Sequence, residues 1–329
     1  MKKLLVYLLF LAIFPAYSAA VGKAAPKWKE ISKGCFVQES VSHTTYIIQE
    51  RGDGGFPIEA VLVIPHMWKE DTNCVAWIES SPRTKFDLDQ IKATSSQFAR
   101  PFVHLFPRGS ILLDNHYPTE IINRNPVAQN IEDEAAPDYG GKHIDDLGVL
   151  LQRVNEIVKG KFIIYGGSLG GYMAVQALMH PEINKFFAAG ISVSGFYSLD
   201  TTQFFKEPLP EIALATQRVH FSDIEKVDML TPRSYVETSI SNYKDLSKEE
   251  LARRAFPIDC PDQVKVPLLV IHGENDYTTL CSPEGARAFV KELKDTGTYV
   301  EIPGATHMNI YGHDLFMKAI GGFLQAHKL

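Results

Sequence analysis

The feature that most constrains this chain is the run Ile163-Ile164-Tyr165-Gly166-Gly167-Ser168-Leu169-Gly170-Gly171-Tyr172-Met173-Ala174, where an apolar strand breaks at a Gly-x-Ser-x-Gly turn and passes into a helix. Such a turn holds its serine in a strained backbone conformation with the hydroxyl exposed, the arrangement called a nucleophile elbow. A side chain at Gly166 or Gly170 would collide with the adjoining strand or helix, so glycine is sterically required there. The pattern makes Ser168 a candidate nucleophile. The plainer alternative is a glycine-rich turn whose serine only caps the helix. The run lacks the Gly-Lys-Ser/Thr ending of a phosphate loop, which argues against a nucleotide cradle.

Around the elbow, short β-branched runs alternate with amphipathic stretches, the pattern of an α/β fold with a mostly parallel sheet covered by helices. Eight strands are predicted, near Thr44 to Gln49, Ile58 to Ile64, Asn73 to Ile78, Phe102 to Phe106, Phe162 to Tyr165, Phe187 to Val193, Pro267 to His272 and Thr298 to Ile302. The turn cluster Arg51-Gly52-Asp53-Gly54-Gly55 suits an antiparallel hairpin of the first two at the sheet edge. Ile144, Leu147, Leu151, Val154 and Val158 recur at helical spacing. Further helices are predicted over Leu169 to Met179, Pro283 to Leu293 and Leu315 to Leu324. Residues 196–260 break the alternation with aromatic and charged segments and read as an inserted cap in an otherwise single domain, 21–329.

A serine hydroxyl needs a base, and the base needs a group that fixes its tautomer. Asp276 follows the strand ending Leu269-Val270-Ile271-His272, and His307 follows the last strand in Ile302-Pro303-Gly304-Ala305-Thr306-His307. Both positions fall at the carboxyl edge of a parallel sheet, and the order Ser168, Asp276, His307 is the one an elbow of this kind uses. Glu274 is a rival for the acid and His313 for the base. His272, at a strand end, reads as structural, and Asp259 and Asp262 precede their strand and fall at the wrong edge. A histidine base implies loss of activity in acid, as the ring takes up a proton.

The first residues have the three parts of a secretory leader: Met1-Lys2-Lys3, the apolar run Leu4 to Phe14, and Ser18-Ala19-Ala20 after Pro15. Cleavage is expected after Ser18 or Ala20, giving a secreted or periplasmic protein, because the apolar run is far short of the ~20 residues that span a bilayer. The formal charge of −6 becomes more negative without Lys2 and Lys3, so nothing suggests a nucleic-acid surface. Cys35, Cys74, Cys260 and Cys281 allow two disulfides or isolated buried thiols. No Cys-x-x-Cys or His-Glu-x-x-His pattern indicates a metal site, and acyl transfer by such residues needs no cofactor.

Gly166 to Ala174, together with His272-Gly273-Glu274-Asn275-Asp276 and Gly304-Ala305-Thr306-His307, resembles the catalytic domain of prolyl oligopeptidase-type serine peptidases within the α/β-hydrolase superfamily. Pro107-Arg108-Gly109-Ser110 is similar to their Arg-Gly-Ser segment, and Asp145-Asp146 to the opening of the helix before their elbow. The resemblance runs from about Tyr46 to the C-terminus. It implies an α/β-hydrolase fold, a Ser168-Asp276-His307 triad and a peptide or amide bond as substrate, whereas the missing propeller and the aromatic cap favour a small ester. Two departures stand out. Only about 25 residues separate the leader from the first strand, so the large propeller of those peptidases has no expected counterpart. Glu79-Ser80-Ser81-Pro82 also replaces a turn that in relatives contributes an oxyanion donor. Leu169 N–H supplies one donor by its position after the nucleophile, and Ser80 or Ser81 is the candidate for the second. Ester and amide cleavage remain equally open, and a silent fold used for binding is the alternative outside catalysis.

Overall fold

The computed structural model describes residues 28–51, 57–69, 74–78, 102–108, 141–197, 261–276 and 281–329. The expected leader 1–20, Ser80, Ser81, Asp259, Cys260 and all of the expected cap beyond Tyr197 lie outside these residues. One sheet organises the rest. Its strands are β1 (Lys29–Ser32), β2 (Cys35–Glu39), β3 (His43–Arg51), β4 (Pro57–Pro65), β5 (Cys74–Ile78), β6 (Val103–Arg108), β7 (Phe162–Gly167), β8 (Phe187–Val193), β9 (Leu268–Gly273) and β10 (Gly297–Ile302). They lie in the order β1-β2-β3-β4-β6-β5-β7-β8-β9-β10. The first four pair antiparallel, as do β4 and β6; from β6 across to β10 every pairing is parallel.

All eight predicted strands are present, and β1 and β2 are additional. Both escape the sequence pattern for a physical reason: all four residues of β1 are exposed, and only Cys35 and Phe36 of β2 are buried, so neither shows the alternation that marks a half-buried strand. The β3–β4 hairpin forms in the register Arg51↔Pro57 to His43↔Pro65, but β1 and β2 flank it, so it is not the edge.

The central strands are buried on both faces, which is why they read as unbroken apolar runs. Successive side chains divide between two cores. Phe162, Ile164, Leu268 and Val270 face one, with α1 (Gly141–Val154), α2 (Leu169–Met179) and α3 (Pro283–Leu293). Ile163, Ile191, Leu269 and Ile271 face the other, which Phe316, Ile320 and Phe323 of α4 (Asp314–Ala326) close. Helix α1 begins at Gly141, so Asp145 and Asp146 sit in its second turn rather than at its start; its Leu150, Leu151 and Val154 are fully buried. Truncating either leucine to alanine removes core contacts at a cost of about 2–5 kcal/mol. The start of α3 is fixed by Ser282, whose hydroxyl accepts from Gly285 N–H at 2.9 Å, with Pro283 in the first turn.

Cys35, Cys74 and Cys281 are buried free thiols. Burial pushes the Cys74 thiol up to about 12, so it serves as a small core hydrophobe. Among the described residues no helix is long and apolar enough to cross a membrane.

Candidate active site

Ser168 sits between β7 and α2 with φ 54° and ψ −123°, a conformation costly for any residue with a Cβ. The surroundings hold it there. Its N–H donates to the Val193 carbonyl at 2.8 Å, and its own carbonyl accepts from Gly171 and Tyr172 N–H. A Cβ on Gly166 would fall on the Gly170 carbonyl, the collision that the elbow pattern implies. Although Ser168 occupies the N-cap position of α2, its side chain makes no capping hydrogen bond. The hydroxyl is directed elsewhere, which removes the plain capping alternative.

It meets His307. His307 Nε2 lies 2.9 Å from Ser168 Oγ, and its Nδ1 lies 2.8 Å from Asp276 Oδ2. Asp276 is fully buried and His307 nearly so. Loops after β9 and β10 bring them together by direct lacing: Glu274 N–H donates to the Ile302 carbonyl and Asn275 N–H to the Ala305 carbonyl. The loops approach so closely that a Cβ on Gly273 would meet the Ala305 carbonyl. Thr306 N–H donates to Asn309 Oδ1 at 2.6 Å and fixes the turn that carries His307.

The rivals are placed elsewhere. Glu274 accepts from Gly304 N–H at 2.8 Å, and His313 caps α4 by accepting from Leu315 N–H at 3.3 Å. Asp262 lies in the 3-10 turn Pro261–Gln263 ahead of β9, at the amino edge of that strand. Leu169 opens α2, where helix geometry leaves the first N–H groups without intrahelical acceptors.

Burial opposes ionisation of Asp276, yet the hydrogen bond from His307 and the charge His307 acquires on protonation hold the carboxyl below the usual carboxylate range. An ionised acceptor at Oδ2 fixes the proton of His307 on Nδ1 and leaves Nε2 free to accept from Ser168. This arrangement can deprotonate the serine as it attacks a carbonyl.

Cys281 and His272, expected as a disulfide half or buried thiol and as a structural histidine, both lie close to this chain of hydrogen bonds, a placement the sequence does not show. Cys281 lies beside Ser168; burial and then the charge of Asp276 push its thiol well above its ordinary range, against a smaller opposing effect of a hydrogen bond with Ser168. It therefore stays a neutral thiol rather than a competing nucleophile. His272, fully buried at the end of β9, places Nε2 3.4 Å from Asp276 Oδ2. Burial pulls its pKa down to about 4, with Asp276 only partly offsetting this.

A histidine titrating near 6.5 when unfolded and about 4 when folded takes up a proton on unfolding throughout that interval. Its contribution is fully present above about 6.5 and is lost as pH falls toward 4, by about 3 kcal/mol in all. Asp276, whose folded pKa is depressed, adds its own loss only at lower pH, below about 4. Urea midpoints at pH 7.0 and 4.5 are thus expected to differ more in the wild type than in His272→Gln. Equal acid sensitivity of the two would contradict this assignment.

A family model described as the prolyl oligopeptidase family matches residues 129–313. No curated protein matches the chain in sequence. Among solved structures, brefeldin A esterase, a bacterial homologue of human hormone-sensitive lipase, is similar at 14% identity, with 87% of this chain and 76% of that one covered and a TM-score of 0.56. Pyrococcus horikoshii acylaminoacyl peptidase is similar at 15% identity over 88% of this chain, with a TM-score of 0.53. The chain spans only 47% of that peptidase's length. An acetyl xylan esterase from Paenibacillus sp. R4 is similar at 14% identity, with 89% and 87% covered and a TM-score of 0.52. At these identities the likeness is one of fold.

Proposed function

The chain belongs to the prolyl oligopeptidase family and is a serine hydrolase of α/β-hydrolase fold, and from that premise we propose that it is a secreted enzyme cleaving a small ester or peptide through Ser168, His307 and Asp276. One observation carries this reading: Ser168 forgoes helix capping and its hydroxyl joins His307 and Asp276 in a continuous line of 2.9 and 2.8 Å contacts.

In the proposed cycle, Ser168 Oγ attacks the carbonyl carbon while its proton passes to His307 Nε2. Asp276 stabilises the imidazolium through Nδ1–H. Leu169 N–H donates to the oxyanion, with Ser80 or Ser81 as the second donor. Collapse of the tetrahedral intermediate breaks the bond to the leaving group, which takes the proton from Nε2 and leaves an acyl-Ser168. Water then attacks the ester carbon, His307 takes its proton and returns it to Ser168, and the acid departs. The leader pattern of Lys2, Lys3, Leu4 to Phe14 and Ala20 supports export, and the amino-terminal residue of the exported protein, Ala19 or Val21, checks it.

The test is turnover of matched short- and long-acyl esters beside aminoacyl and prolyl amides by the mature protein. Cleavage of at least one class, abolished by a fluorophosphonate, is the expected result. A folded protein that cleaves neither class and does not react with the probe would favour the binding alternative.

A further inference from the structure

Tyr311, in the turn Ile310–Gly312 four residues beyond His307, places its hydroxyl over the nucleophile elbow. The three atoms nearest to a Cβ built on Gly167 all belong to Tyr311, with the hydroxyl foremost and Cζ at 3.2 Å. The tyrosine thus occupies the space that a side chain directly before Ser168 would take. Its ring is held by an edge contact with Phe316 at 5.4 Å, while 45% of the residue stays exposed. Among the described residues its hydroxyl has no hydrogen-bond partner. Partial burial, and then Cys281 and Asp276, push the phenol up to about 12, so it is a donor at any working pH.

The position defines a side. Leu169 N–H, the oxyanion donor, follows Ser168; Tyr311 lies over Gly167, which precedes it, and on the same segment as His307. A departing group must emerge next to His307 Nε2, the atom that protonates it. Resting on the hydrolase reading above, we infer that Tyr311 forms the leaving-group wall of the site and donates a hydrogen bond to the departing oxygen of an ester. An ester oxygen has two lone pairs and can accept from His307 and Tyr311 together. The nitrogen of a collapsing amide has one, which His307 uses. The tyrosine therefore assists oxygen leaving groups and not nitrogen ones, which makes carboxylic esters the favoured substrate class.

The test is kcat/KM, which reports acylation, for esters of one acid with alcohols of increasing pKa, in wild type and Tyr311→Phe. A 4-nitrophenolate needs little help to leave and an alkoxide needs much. The variant is expected to lose about tenfold on alkyl esters and under about twofold on the 4-nitrophenyl ester. Gly167→Ala, whose added Cβ displaces the Tyr311 hydroxyl, is expected to reproduce the selective loss and to add little in the Tyr311→Phe background. An equal loss on all esters, no loss on any, or a wild-type preference for amides over matched esters overturns the inference. If the wild type neither cleaves any ester nor reacts with a fluorophosphonate, the hydrolase reading itself falls, and this inference with it.

Discussion

Ser168→Ala is expected to lower kcat/KM by about 10⁴- to 10⁶-fold on any substrate the wild type cleaves, with the fold intact. The size follows from what the hydroxyl does. It is the proposed atom of covalent attachment, and neither His307 nor the buried Cys281 thiol can substitute for it. Oxyanion donors and substrate binding survive the change, which is why a residual rate over water is expected rather than none. Alanine retains a Cβ and therefore the backbone strain at φ 54°, so the thermal midpoint should move little. Ser168→Gly, by contrast, relieves that strain and is expected to be more stable than Ser168→Ala by about 1 kcal/mol. Activity assays paired with thermal unfolding check both statements, and a loss of activity under tenfold in Ser168→Ala would remove the serine from the reaction.

Asp276→Asn is expected to cost about 10⁴-fold in kcat with the geometry nearly unchanged. Asp276 accepts from His307 Nδ1 at 2.8 Å in a fully buried position. An asparagine amide can instead donate to Nδ1, which moves the ring proton to Nε2 and leaves no acceptor for the Ser168 proton. The negative charge that stabilises the imidazolium is lost at the same time. Restoring part of the rate by raising pH is the expected signature, because hydroxide can take the Ser168 proton that the wrong tautomer cannot accept. Full activity in Asp276→Asn would point to another acid. Glu274 is a poor substitute because its carboxylate already accepts from Gly304 N–H.

The elbow was legible because its signals are local. Ile163 and Ile164 announce a strand, the glycines a tight turn, and Tyr172 to Met179 a buried helix, and the observed α2 bounds, Leu169–Met179, match the expectation. Helix α3 was equally legible, since Ser282-Pro283 carries a capping serine and a first-turn proline in adjacent positions. Helix α1 was displaced by a few residues because Gly141 and Lys142 lack the apolar spacing that marks its later turns. Asp276 was preferred to Glu274 from the sequence alone, and the lacing between the β9 and β10 loops accounts for which carboxylate faces His307. The placement of Cys281 and Tyr311 was not legible. Cys281 follows Asp276 by five positions and Tyr311 follows His307 by four, but nothing in the local sequence says that either side chain turns back toward the elbow.

The site of covalent attachment tests the role of Ser168 as nucleophile: the protein is treated with a fluorophosphonate, digested, and the modified peptide sequenced by mass spectrometry. A single adduct on Ser168 is expected, formed by the wild type and abolished or greatly slowed in Asp276→Asn. An adduct on a different residue, or none on a folded protein while a control hydrolase is labelled, would contradict it.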